Sequence, residues 1–388
     1  MHIRRLALEN FRNIQRMTLD LAPGHTVLYG ENAQGKTNIL EAVYVFATGK
    51  SMRAETERDV IRWEAHADEI PYARLHGLFR KAKRDIQVDV VLQLTRADGV
   101  PMDEEPQLVK RIKLNGAPKR AASLIGEVQA VLFEPQDIEL VYGSPGGRRR
   151  HLDATLSQVN RPLFEELTKY GRVLEQRNPL LKAIREGRAS RNDLHFWDAR
   201  LVQSGAVIIA ARAKALQELN GLSAKVHAEL TGGRERLHLV YAPSVPLPEG
   251  AGVAAIAKAF TAQLAAQRER ELAQGVSVVG PHRDDFSFVV NDVDLASFGS
   301  RGQQRLATLS LKLAEAHYMT AHTGEQPILL LDDVLSELDS PRRAFLLRAI
   351  ATYEQSILTT ADLPALDEAF RAKANLVRVS AGAVARDD

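Results

Sequence analysis

Residues 30–37 read Gly-Glu-Asn-Ala-Gln-Gly-Lys-Thr, the G-x-x-x-x-G-K-[ST] spacing of a phosphate-binding loop. The run Thr26 to Tyr29 enters this loop as a strand, and Ile39, Val43 and Phe46 leave it at helical spacing. Strand, glycine turn and helix therefore stand in the order the loop needs. A triphosphate crowds negative charge, so its cradle needs backbone N–H groups that converge on oxygen. Gly30 and Gly35 let the chain bend close enough around Glu31, Asn32, Ala33 and Gln34, with Asn38 just beyond. Lys36 brings positive charge to the terminal phosphates. Thr37 offers a hydroxyl to magnesium, a hard cation that prefers oxygen. The reading is an α/β protein that uses ATP and Mg2+.

Far downstream, Ile328 to Leu331 form an apolar run that ends in Asp332-Asp333. A buried parallel strand of this kind delivers carboxylates to the edge of the sheet where ligands bind. Asp332 would hold magnesium, and Asp333 would orient or deprotonate the attacking water. The plainer alternative is a core strand whose Asp caps the next turn. An Asp in place of a Glu base is one methylene shorter, which points to slow turnover and a switch rather than a motor.

Ser300-Arg301-Gly302-Gln303 separates the chain from kinases and small GTPases. By itself S-x-x-Q is a capping box at the start of the helix that carries Leu306, Leu309 and Leu313. Gly302 in the first turn costs helix propensity, yet it leaves the terminal N–H groups bare to a foreign phosphate. The chain already has one phosphate loop, so Ser300, Gly302 and Gln303 would serve the ATP of a second copy. This predicts a homodimer formed on ATP.

At 388 residues the chain exceeds the ~250–300 at which one core stops growing. The division expected is a discontinuous nucleotide lobe, 1–137 with 276–388, and a mostly helical lobe, 138–275. His2 to Leu8, Thr18 to Leu21 and Ile86 to Leu94, with turns at Asp98-Gly99 and Asn115-Gly116, read as an added antiparallel layer. Leu163, Leu167, Tyr170 and Leu174, then Leu216, Leu219, Val226 and Leu230 before Gly232-Gly233, read as helices of the second lobe. No heptad run is long enough for a long coiled coil.

With 51 basic and 49 acidic residues the net charge is +2, so contact with nucleic acid must come from local clusters. Ser144-Pro145 looks like a cap with Pro at the first helical position. It puts Arg148, Arg149 and Arg150 where cations oppose the helix dipole and call for an external anion or for acidic partners. Lys81, Lys83 and Arg84 form a second cluster. Aromatic residues make up only 6%, so contact with the backbone of duplex DNA or a duplex–single-strand junction fits better than base stacking. The absence of cysteine excludes thiol catalysis and disulfides. The charged pair Arg4-Arg5 close after Met1 and the lack of an apolar leader point to a cytoplasmic protein with no membrane contact.

Six segments together resemble the ABC-type ATPases of chromosome maintenance and, within them, the RecF recombination-mediator family. They are Leu8 to Asn13, Gly30 to Asn38, Gly143-Ser144-Pro145 through Arg148-Arg149 to Leu152-Asp153, Gly280 to Asp285, Ser300 to Arg305, and Leu329 to Asp339. The resemblance implies that Arg12 and Asn13 lie near the nucleotide and that Gln136 is the Q-loop residue. It also implies that Ser336 to Asp339 form a D-loop across a dimer interface. Two positions depart from the pattern: Ala33 stands where many relatives have Gly, and Thr359-Thr360 occupy the region where transporter ATPases place a switch histidine. The function implied is an ATP-driven DNA clamp with weak, DNA-stimulated hydrolysis. It would act in gap repair, fork maintenance and the SOS response to DNA damage, and load recombinase with RecO and RecR. The alternative is the ATPase subunit of a membrane transporter, for which the chain lacks both the switch histidine and an obvious docking motif.

Overall fold

The computed structural model describes residues 1–82, 84–95, 106–248, 250 and 252–386, so Lys83 and the Asp98-Gly99 turn lie outside the described residues. Packing divides the chain into two compact units, Met1–Gln136 with Glu315–Asp388, and Asp137–Ala314. That boundary falls inside the helix Arg301–Thr323 rather than near residue 276. Residues 276–314 group with the second unit because the strand Asp285–Val290 is paired to Leu237–Ala242.

The first unit is built on two sheets. In one, Gly24–Tyr29 is flanked in parallel by Gln355–Thr360 and Asn375–Ser380, and Ile328–Asp332 lies between Gln355–Thr360 and Ala130–Phe133. Ala383–Arg386 closes one edge antiparallel. Ile328 to Leu331 are buried on both faces, which is why they read as a continuous apolar run instead of an alternation. The helix Lys36–Thr48 packs Ile39, Val43 and Phe46 into the core.

The second sheet is the added antiparallel layer, with Ile14–Asp20, His2–Phe11, Tyr72–Lys81, Arg84–Thr95, Gln107–Leu114 and Ala117–Lys119 in that order. Past a register shift between Ile3 and Arg5, the strand His2–Phe11 alternates: Leu6 and Leu8 are buried while Arg5, Ala7 and Glu9 are more exposed. Asn115 and Gly116 both have positive φ (50° and 79°), as a two-residue hairpin turn requires.

The second unit is mostly helical. The helices Pro145–Val159, Arg161–Arg185 and Leu194–Thr231 dominate it, and the last ends at Gly232 in the left-handed conformation. A three-stranded sheet of Leu237–Ala242, Asp285–Val290 and Val293–Asp294 was not foreseen from sequence. No helix of the described residues is long and apolar enough to cross a membrane.

Candidate functional site

The phosphate loop begins where Gly24–Tyr29 ends. Gly30 (φ 147°) lies so close to the Val379 carbonyl that a Cβ would sit 2.3 Å from its oxygen, and Gly35 (φ 106°) presses on the Asn13 side chain. Ala33 adopts φ 63°, a conformation that glycine would take without strain. Two further segments brace the loop. Asn13 Nδ2 reaches the Ala33 carbonyl (3.5 Å), and Asn38 Nδ2 donates to Asn13 Oδ1 (2.8 Å). The hairpin turn at Ala381-Gly382 donates one N–H to Gln34 Oε1 (2.6 Å) and the next to the Gln34 carbonyl (2.9 Å).

Lys36 Nζ lies within the loop and donates to the carbonyls of Gly30 (2.6 Å) and Glu31 (2.7 Å). Burial lowers its pKa, while the charges of Asp333 and Asp332 act to restore it. Thr37 Oγ1 lies 2.7 and 3.0 Å from the two carboxylate oxygens of Asp332, across 295 positions of sequence. A hydroxyl and a carboxylate placed side by side are the two hard oxygen donors that magnesium takes from a protein when phosphates and water supply the rest, so these residues fit that ion.

Asp333 has φ 50° and ψ 20°, the left-handed region that non-glycine residues rarely enter. Burial pushes its carboxyl pKa up, more than hydrogen bonding from Ser336 and the charge of Lys36 lower it. Ser336 Oγ also donates to the Asp333 carbonyl (2.7 Å), and Asp339 caps the helix Ser340–Ile350 through the Arg342 N–H (3.0 Å). Gln136 is exposed on a short turn after Ala130–Phe133, a strand that ends beside Ile328–Asp332.

Arg12 (φ 55°) forms a bidentate pair with Glu41 (3.0 and 2.7 Å) and donates to the Asp59 carbonyl (2.8 Å). Glu41 itself is buried on the loop's helix. Sequence reading missed it because a carboxylate there looks like ordinary helix surface. Glu41, Arg53 and Glu134 join Thr37 and Asp332 around one small cleft.

In the second unit, Ser300 and Gln303 form the reciprocal capping box: the Ser300 N–H donates to Gln303 Oε1 (3.1 Å) and the Gln303 N–H to Ser300 Oγ (3.2 Å). A Cβ at Gly302 would meet only Ser300 Oγ, at 3.9 Å, so the start of this helix is open.

The basic cluster needs correction. Arg148 is buried, with Nε and Nη2 on Asp285 (2.6 and 2.7 Å) and Nη1 on the Gly143 carbonyl (2.8 Å). Arg149 donates to the Asp284 carbonyl (2.6 Å), and Arg150 is exposed. The anion that Arg148 called for is the chain's own Asp285, so Arg148 leaves the set of candidate DNA contacts. Lys81 and Arg84 are likewise engaged, Lys81 with the Gly126 carbonyl (3.2 Å) and Arg84 with Glu127 (2.9 Å).

The fold and these two motifs together define an ABC-type ATPase head with an added antiparallel layer and a mostly helical second part. The model of the RecF/RecN/SMC N terminal domain matches residues 2–383. The chain is 41% identical to the DNA replication and repair protein RecF of Chloroflexus aurantiacus, with 99% of each chain covered. It is 38% identical to that of Halalkalibacterium halodurans, again with 99% of each covered. The solved structure of the recombination mediator protein RecF-ATPrS in the RecFOR pathway superposes with TM-score 0.87 at 30% identity, covering 100% of this chain and 98% of that one. An Smc head bound to the C-winged helix domain of ScpA, 16% identical, matches with TM-score 0.54 over 99% of this chain and 96% of that one, a likeness of fold alone. The chain belongs to the RecF family.

Proposed function

We propose that this chain is an ATP-driven DNA clamp of repair and replication. It holds ATP and Mg2+ on residues 30–38, closes as a homodimer and opens when ATP is hydrolysed. The observation that carries this reading is the pairing of Thr37 with Asp332 beside the Lys36 loop, at the C-terminal edge of a parallel sheet.

In this reading Lys36 and the loop amides bind the β- and γ-phosphates, and Thr37 and Asp332 are the protein's ligands to magnesium, which neutralises charge on the phosphates. Asp333 orients the attacking water and takes its proton as oxygen bonds to the γ-phosphorus and the bond to the leaving ADP oxygen breaks. Burial favours the protonated form of Asp333, which suits the uptake of a proton. Ser300, Gly302 and Gln303 complete the pocket of a second copy, and Ser336 and Asp339 lie at that junction. Arg12 acts through Glu41 and Asn13 through the loop, while Gln136 approaches from the edge strand. The functional division is an ATPase lobe, 1–137 with 276–388, and a second lobe, 138–275.

The relatives' printed role in DNA replication and repair and the RecFOR pathway of the solved homologue support the repair role. RecO and RecR as partners, gapped or junction DNA, a cytoplasmic setting and slow, DNA-stimulated turnover belong to the same proposal. The relatives give the transporter alternative no support. The Asp333→Asn variant tests the chemistry: it should bind ATP and dimerise but lose hydrolysis by roughly 10²-fold or more. Hydrolysis at the normal rate would remove the assignment.

A further inference from the structure

Gln355–Thr360 pairs in parallel with Ile328–Asp332 and sets Thr359 opposite Asp332. Thr359 is buried, and its hydroxyl does two things at once. It donates to Asp332 Oδ1 (2.8 Å) and accepts the backbone N–H of Asp333 (2.9 Å). An N–H can only donate, so the hydroxyl proton is left for the carboxylate. On the other side of the residue, Ser336 Oγ donates to the Asp333 carbonyl, so both peptides that flank Asp333 are held. A left-handed, non-glycine residue costs roughly 1–3 kcal/mol and persists only where its surroundings hold it. Thr359 thus bonds both the carboxylate and the strained residue after it.

Thr37 also points its hydroxyl at Asp332, and an oxygen that ligates magnesium through a lone pair keeps its proton for that bond. Thr359 adds a second donor to the carboxylate, from the neighbouring strand and away from the phosphate loop. We propose that Thr359 is a positioning residue for ATP hydrolysis: through one hydroxyl it orients Asp332 for the metal and holds Asp333 in the backbone conformation that presents its carboxylate. The inference rests on the proposed roles of Asp332 and Asp333. Outer partners of this kind change metal affinity or activity by about 10–100-fold.

The test uses the full chain and two substitutions with opposite losses. Thr359→Val keeps the branched shape and loses the hydroxyl, whereas Thr359→Ser keeps the hydroxyl and loses the methyl group. Three quantities are measured: ATP affinity in EDTA, Mn2+ affinity of the ATP-bound protein by electron paramagnetic resonance, and the single-turnover rate. Thr359→Val should lower Mn2+ affinity and rate by about 10–100-fold while changing metal-free ATP affinity less than about 3-fold. Thr359→Ser should stay within about 3-fold of the parent in all three. The reverse order, Val normal and Ser impaired, would show that Thr359 only packs its methyl group and would overturn the proposal. So would a Ser variant as impaired as Val, which keeps the test decisive even if Val does not fold. Asp333→Asn run alongside separates the two levels, since its normal hydrolysis would overturn the parent reading while leaving the Mn2+ comparison to judge the Asp332 contact.

Discussion

Around its phosphate loop the first unit holds charged groups ready for something outside the chain, whereas the core of the second unit pairs its buried charges with one another. Around the phosphate loop, Lys36 rests on carbonyls and Thr37 on Asp332, contacts that a phosphate or a metal ion can replace. In the second unit Arg177 is wholly buried, with Nη1 and Nη2 on Glu271 (3.0 and 2.5 Å) and Nε on Asp198 (2.9 Å). Arg212 lies between Asp153 (2.9 and 2.8 Å) and Asp284 (3.3 Å), and Asp284 also accepts from the Tyr241 hydroxyl (2.5 Å) and the Ser244 N–H (2.8 Å). A cluster of arginines in the sequence therefore carries opposite meanings, depending on whether the fold supplies its counter-charge.

The largest expected effect is on the self-paired side. Arg177→Ala would leave Glu271 buried without its partner and should cost about 3–5 kcal/mol, seen as an earlier denaturant midpoint, with ATP binding retained in native buffer. Lys36→Ala should do the reverse, weakening ATP binding by roughly 10²-fold or more while the denaturation midpoint changes little. Equal loss of stability in both variants would erase the contrast.

Acid sharpens it further. His282 Nε2 donates to the Ser277 carbonyl (3.0 Å), which leaves Nδ1 to accept the Tyr170 hydroxyl (2.7 Å), so the ring is neutral. Burial lowers its pKa to about 4 from the usual 6.5. The unfolded chain then binds the proton more readily than the folded one, and stability falls as pH drops from about 6.5 towards 4, by at most about 3 kcal/mol. Denaturation midpoints at pH 7 and pH 5 should differ less in His282→Gln than in the parent.

The smallest effect belongs to Arg148. Arg148→Ala should lose about 1–3 kcal/mol of stability but leave the salt dependence of DNA binding unchanged, because its donors never face solvent phosphate. A shallower salt slope would return Arg148 to the DNA surface.

What could be read from sequence was local. The phosphate loop, the Ser300 capping box, the Ser144 cap and the Asn115-Gly116 turn each lie within a few residues, and their backbone needs are written in glycines, prolines and side-chain caps. The apolar run before Asp332 was legible because a doubly covered parallel strand has no polar face. The bond from Thr359 to Asp332 and the support from the Ala381-Gly382 turn were not legible, since parallel pairing brings both to the loop from the far end of the chain. Arg148 was misread for the same reason: Asp285 lies 137 positions away, and nothing local announces the pair. The strand Leu237–Ala242 was hidden by the helical pattern before it and the Pro- and Gly-rich stretch after it.

Sedimentation of the purified chain, with ATP and Mg2+, with ADP and with neither, tests the central claim most directly, with Ser300→Arg as its partner sample. The expected result is a dimer with ATP and Mg2+, a monomer in the other two states, a rate per chain that rises with protein concentration, and a Ser300→Arg chain that binds ATP yet stays monomeric. A parent chain that remains monomeric at saturating ATP and Mg2+ and hydrolyses at a rate independent of its concentration would contradict it.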